Sequence, residues 1–252
     1  MWSIHPDANI SMVSTISVFA ENKTIDYKVQ AVEDSNRNDG ITGDATENFA
    51  DGDYFSGAFV NGKREGIGTY SFSNGDSYTG EWFDDVITGN GKYLFLDGAF
   101  MFGTFEKGVL IDGIFNYSDN DGIYEVTVEK GEYTDKFKAI FANGDTFIGN
   151  YDGEEFEGEC EIIYASGDTY KGNVVKNLKH GLGTYVWENG ASYTGDWEND
   201  KMNGTGVYYY SNDTFPRLEG TFLNNQPDGT LEYFTSETVS ISTQWVDGKC
   251  VG

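Results

Sequence analysis

A 23-residue interval recurs along the chain and limits its fold more than any other feature. The segment YTGEWFDDVITGNGKYLFLDG begins at Tyr78, and YTGDWENDKMNGTGVYYYSND begins at Tyr193. Opening residues stand at Phe55, Tyr78, Met101, Tyr124, Phe147, Tyr170 and Tyr193, then at Leu218 after a two-residue insertion, and at Ile241. A fixed period of this length marks a repeat architecture, in which each copy packs against its neighbours.

Inside a copy the apolar pattern has period two, so the copies are made of strands. Two residues after most openings comes a glycine, as at Gly57, Gly80, Gly172 and Gly195, and two further on a ring, as at Phe59, Trp82 and Trp197. A second alternating run follows: Gly89, Gly91, Tyr93 and Phe95 fall on one face, as do Gly181, Gly183, Tyr185 and Trp187. A short polar turn is expected within each copy, and a tight Asn-Gly or Asp-Gly turn between copies, at Asn74-Gly75, Asp97-Gly98, Asn143-Gly144 and Asn189-Gly190. Each copy is then a β-hairpin, and successive hairpins pair edge to edge into an antiparallel single-sheet meander. At ~4.8 Å per strand each copy adds roughly 10 Å, an elongated, solenoid-like arrangement of eight to nine copies. A glycine on the ring face leaves a hole in which a neighbouring ring can lie flat, so one sheet can bury its own aromatics.

With its Tyr-x-Gly-x-Trp, turn, Gly-x-Gly-x-Tyr unit, the chain resembles the MORN (membrane occupation and recognition nexus) repeat family, best in the copies from Tyr78, Tyr170 and Tyr193. The resemblance covers about residues 32–252. It implies an all-β hairpin meander. For function it implies little by itself, since such repeats occur in radial spoke heads, junctional membrane tethers, division scaffolds, lipid kinases and a lysine methyltransferase. The enzymes among these keep their catalytic domain outside the repeats.

Two regions depart from the pattern. In the copy from Met101, VLIDGIFNY sets its glycine and rings one residue late, at Gly113, Phe115 and Tyr117, which reads as a β-bulge made by an extra residue. The next copy replaces glycines by Val126, Asp135 and Phe137, so residues 101–144 are expected to curve. At the N-terminal end a worn copy starts near Val32, and residues 12–30 read as a hairpin covering the sheet edge, giving a cap over 1–31 and repeats over 32–252.

Sixteen Lys and Arg face 42 Asp and Glu, a net charge of −26 that argues against nucleic acid and anionic lipid as partners and favours a basic one. With 18 Phe, 17 Tyr and 5 Trp the chain is too aromatic for a disordered tail. No apolar run is long enough for a membrane-spanning helix and no signal sequence is recognised, so the expected location is the cytoplasm.

Site chemistry is sparse. His180 and His5 are the only histidines, and His180 reads as a strand-start residue, so no catalytic triad can be assembled. Cys160 and Cys250 lie four copies apart, too far for a disulfide or a shared zinc. The loop from Asp34 offers Asp34, Asn36 and Asn38 at alternate positions, but its glycine is one place late and Ala45 stands where a calcium loop needs Glu. Glu157, Glu159 and Glu161 line one strand face, with Lys171 expected opposite. No cofactor is expected.

Opposite the rings, one column is apolar: Leu94, Tyr117, Ile140, Ile163, Val186, Tyr209 and Phe234. It reads either as local packing against Phe83, Val175 and Leu223 or as a docking surface flanked by acids. The resulting expectation is a non-enzymatic scaffold binding a basic or amphipathic segment of a protein partner, with self-association as a further option. The alternatives are a phospholipid-associated tether, which the charge opposes, and the accessory part of a larger enzyme.

Overall fold

The computed structural model describes residues 40–49 and 51–252, and among these there is no helix. The predicted hairpin cap over 12–30, the copy start at Val32, the loop from Asp34 and His5 lie outside the described residues. The described residues divide into two compact units, 40–137 and 138–252.

The first unit contains β1 (Gly43–Asn48), β2 (Tyr54–Val60), β3 (Lys63–Ser71), β4 (Ser77–Phe83), β5 (Val86–Leu94), β6 (Phe100–Glu106), β7 (Val109–Ser118) and β8 (Gly122–Glu129). The division between units falls within β9 (Glu132–Phe141), in the copy whose glycines are replaced. The second unit continues with β10 (Thr146–Tyr151), β11 (Phe156–Ile163), β12 (Thr169–Val175), β13 (Leu178–Val186), β14 (Ser192–Glu198) and β15 (Lys201–Tyr209). It ends with β16 (Arg217–Leu223), β17 (Gln226–Pro227), β18 (Gly229–Ser236), β19 (Val239–Val246) and β20 (Lys249–Cys250). Within each unit successive strands pair antiparallel, except that β18 joins β16 beside the two-residue β17, so the hairpin meander read from the period is the architecture found.

Register explains why glycine recurs. Gly57 faces Gly68, Gly68 faces Gly80, Gly80 faces Gly91, and the row continues through Gly103 to Gly113. In the second unit the row runs from Cys160 through Gly172, Gly183, Gly195 and Gly206 to Gly220. Each opening tyrosine lies along this bare strip. A Cβ added to Gly91 would stand 2.3 Å from the Tyr78 hydroxyl and 2.6 Å from its ring, so no other residue fits there. The Tyr78 hydroxyl reaches past the glycine and donates to the Glu81 carbonyl at 3.2 Å; Tyr193 does the same to Asp196 at 3.1 Å. The register shift between Gly80 and Trp82 brings Trp82 back over the strip, and its indole donates to the Gly68 carbonyl at 3.3 Å. Trp197 repeats this on Gly183 at 3.1 Å. Edge-on contacts of 5.3–5.5 Å between Trp82 and the rings of Phe55 and Tyr78 complete the packing.

The turns are placed the other way round from the expectation. The tight two-residue turns lie inside the copies, with both residues at positive φ, as at Asn61-Gly62, Asp84-Asp85, Asn199-Asp200 and Asn224-Asn225. Between copies the link is longer: Phe72 N–H donates to the Asp76 carbonyl and Gly75 N–H to the Phe72 carbonyl, so Asn74-Gly75 forms one part of a wider loop.

β7 also departs from the expected pattern. Its irregularity is present, but its sign is reversed: where an ordinary copy sets Ile87–Gly91 against Gly80–Trp82, this copy sets only Leu110–Gly113 against Gly103–Phe105. One residue is missing relative to the other hairpins, rather than added. Gly113 pairs with Gly103 and Phe115 with Met101, so the strand returns to the ring face one residue early. Tyr117 therefore pairs with Tyr124 on the ring face, 5.4 Å from the Phe115 ring and 5.1 Å from that of Tyr124, and packs against the core. It does not belong to the outer column, because a one-residue slip exchanges the two faces of a strand.

Candidate functional site

With the rings packed inward, the opposite face of the sheet is the surface available for binding. Its ground state is hydroxylic. Thr69 meets Thr79 at 3.0 Å and Thr184 meets Thr194 at 2.9 Å across neighbouring strands. Acids on this face tie down the backbone at the register shifts: Glu81 accepts from Asn90 N–H at 3.0 Å and Asp196 from Thr205 N–H at 2.7 Å.

In the second unit Ile140, Ile163, Val186, Tyr209 and Phe234 do share the outer face. They are separated by other residues across the strands, in the order Ile163, Thr169, Val186, Ser192, Tyr209, Arg217, Phe234. A ridge of touching apolar side chains is therefore interrupted at each step by Thr, Ser or Arg. The Arg217 guanidinium lies 4.4 Å over the Phe234 ring and 4.6 Å over Phe215, and it pairs with Glu219, so this end of the column is covered by its own neighbours. Glu161 faces Lys171, as expected, and Glu159 faces Asn173. Glu157 accepts the Lys176 N–H at 3.0 Å, a turn-holding role.

The first unit holds Leu94 and a group that the 23-residue count misses. Leu94 faces Phe100, and in the next row Lys92 faces Phe102, which in turn faces Ile114. Phe102 is 56% exposed. The Lys92 ammonium lies 4.2 Å over the Phe100 ring. The signal was the shortened β7: it moves Tyr117 inward and puts Ile114 and Asn116 outward in the positions beside Phe102 and Phe100.

Two buried cations also escaped the sequence reading. Arg64 and Lys179 are each 1% exposed. Lys179 lies 5.7–5.8 Å from the rings of Tyr164, Tyr170, Tyr185 and Trp197, and its ammonium is 3.0 Å from Asp200. Arg64 lies 5.0–5.9 Å from Phe49, Phe55, Tyr70 and Trp82, with Asp85 at 3.1 Å. Asp85 and Asp200 also accept the backbone N–H of Arg64 and Lys179, both at 2.9 Å. The same turn position is Asn177 over Phe156 and Asn225 over Met202. An acid thus stands where the side chain beneath is a cation, and an amide or a glycine where it is apolar, as with Gly108 at Ile87. A readable signal existed in the 21-residue spacing of Arg64 to Asp85 and Lys179 to Asp200.

Among the described residues no three His, Cys, Asp or Glu side chains are grouped to hold a metal. His180 is exposed on β13. Cys160 and Cys250 are both free thiols, the first buried and the second exposed. Burial pushes the Cys160 thiol up to about 12. No helix among the described residues is long and apolar enough to cross a membrane.

No curated protein matches the sequence. Among solved structures the chain is similar to the TCP domain of SAS-4 (dCPAP) from Drosophila melanogaster, determined in complex with a proline-rich motif of Ana2 (dSTIL). The likeness has 14% identity, covers 77% of this chain and 100% of that one, and has a TM-score of 0.38. The MORN repeat model matches residues 55–77, 78–100, 170–192 and 193–215, each opening on the ring that begins a hairpin. These matches and the ring-on-glycine register identify residues 55–100 and 170–215 as MORN repeats.

Proposed function

We propose that this chain is a non-catalytic interaction scaffold that binds a protein segment carrying basic and apolar residues on the outer face of its sheet. One observation carries the reading: large apolar side chains, among them Ile67, Phe83, Phe102 and Leu182, stand more than half exposed opposite a fully packed ring face. The fold does not need them there, because the aromatic core is complete on the other side, and apolar surface held in water favours a partner. A net charge of −26 selects a basic partner over nucleic acid or an anionic bilayer. The organisation proposed with it is a cap over residues 1–31 followed by repeats over 32–252.

The test uses two labelled amphipathic peptides with identical leucine spacing, one with lysine and one with glutamate on the polar face, followed by fluorescence anisotropy. The lysine peptide is expected to bind and to weaken as salt is raised, while the glutamate peptide does not bind. Equal binding of both, or of neither, contradicts the reading. Flotation with phosphatidylserine vesicles in place of the peptides would instead support a membrane tether.

A further inference from the structure

We infer that the docking surface is the outer face of β5–β8, centred on Phe102 and Ile114, and that its occupant is a basic amphipathic helix of a partner protein. The inference rests on the scaffold reading above and assigns it a place and a partner shape.

The place follows from comparing equivalent rows. Phe102 holds the position that is Thr79 in β4 and Thr194 in β14, and Ile114, its partner within the hairpin, holds the position that is Lys92 in β5 and Val207 in β15. Leu94 and Phe100 face each other in the adjoining row, and Ile123 on β8 is 48% exposed on the same side. Beneath them Met101, Phe105 and Phe115 fill the ring face, so the outer group adds nothing to that core. Unlike the column in the second unit, Leu94, Phe100, Phe102 and Ile114 adjoin one another without an intervening Ser or Thr, and Ile123 lies at the margin beside Ser118.

The partner's shape follows from the backbone. β5, β6 and β7 are each paired on both sides, so an extended peptide laid on this face finds no free strand edge to join. A helix satisfies its own backbone and needs only a side-chain surface. From β5 to β7 is about 10 Å, the width of one helix. Its charge follows from the rim: Glu106, Asp112 and Glu125 stand on the same face, and Lys92 is already engaged over Phe100. A second copy of this chain would bring another −26 charges to that rim, which disfavours it as the occupant.

The double variant F102T/I114T tests the site, because threonine stands elsewhere at each of the two positions, as Thr79 and Thr194 on first strands and as Thr69 and Thr184 on second strands, and it is a residue suited to strands. Its melting curve is expected to match the wild type. The lysine amphipathic peptide is expected to bind it at least about tenfold more weakly, the loss of two apolar anchors. If F102T/I114T binds as the wild type does while V186T/Y209T is weakened, the site is overturned and the scaffold reading survives. If the peptide binds neither wild type nor variants, the scaffold reading fails and the site fails with it. A wild-type dimer in sedimentation that F102T/I114T converts to monomer would make the occupant a second copy and overturn the inference.

Discussion

Lys179 shows how closely single residues are matched to their neighbours. A buried ammonium is costly unless it is paired, and here one carboxylate and four ring faces compensate it. Removing only the cation leaves Asp200 buried and uncompensated. Lys179→Met should therefore destabilise by about 3–5 kcal/mol. The pair K179M/D200N recreates the Met202 and Asn225 arrangement found one copy later and should recover most of that loss in urea denaturation. If the double variant is as unstable as the single one, the matching of acid to cation is incidental. Cys160 occupies a glycine position in the bare strip, where burial raises its thiol pKa to about 12 against a usual 9.0. Ellman's reagent at pH 8 should titrate one thiol, Cys250, in the native protein and two after unfolding. Rapid reaction of both would place Cys160 at the surface.

Elements are held to one another by acids repeated at the copy boundaries. Asp168 accepts the Tyr185 hydroxyl at 2.6 Å and the Glu188 N–H at 2.8 Å, tying one hairpin to the next. Asp76 does the same with Tyr93 and Leu96, at 2.8 and 2.9 Å. Asp168→Ala strands both donors and should cost about 1–3 kcal/mol, whereas Glu188→Ala should be nearly neutral; a thermal melt separates the two. At this scale the strands were legible because glycine and ring alternate with period two, and the register was legible because equivalent positions recur. Turn placement was not, since Asp84-Asp85 and Lys176-Asn177 adopt left-handed backbone without the glycine that usually announces it. The face of Tyr117 was misread because a bulge one residue shorter leaves the local alternation unchanged while exchanging the faces beyond it. The candidate site suffered from the same count: stepping by 23 from Leu94 lands on Tyr117 and passes over Phe102 and Ile114, whose pairing appears only in the register. Arg64 and Lys179 are not legible as core residues, because a charged residue in a strand ordinarily faces water.

On the scale of the whole molecule, charge and packing pull in opposite directions. A net −26 repels itself in the folded state, so added salt should raise the melting temperature in the range where screening acts, up to about 0.5 M. The rise should shrink near pH 4, where carboxylates are protonated. A melting temperature that falls with salt would mean that ion pairs outweigh repulsion. Alkali works through the rings: burial pushes the phenols of Tyr78, Tyr164, Tyr170 and Tyr193 upward. Their folded pKa values exceed the unfolded 10.0, so the stability they confer is complete below pH 10 and is lost as pH rises above it.

Tyrosines lying over glycine give a single layer of strands its own interior. A double-mutant cycle on Tyr193 and Gly206 tests it most directly, because a Cβ on Gly206 would stand 2.3 Å from the Tyr193 hydroxyl and 2.4 Å from its ring. With Tyr193 in place, Gly206→Ala should cost about 1–3 kcal/mol in equilibrium urea unfolding. In the Tyr193→Val background the same change should be neutral or stabilising by up to about 1 kcal/mol, since alanine suits a strand better than glycine once the ring is gone. An equal cost in both backgrounds would show that the ring does not rest on the glycine, and the account of the fold would be contradicted.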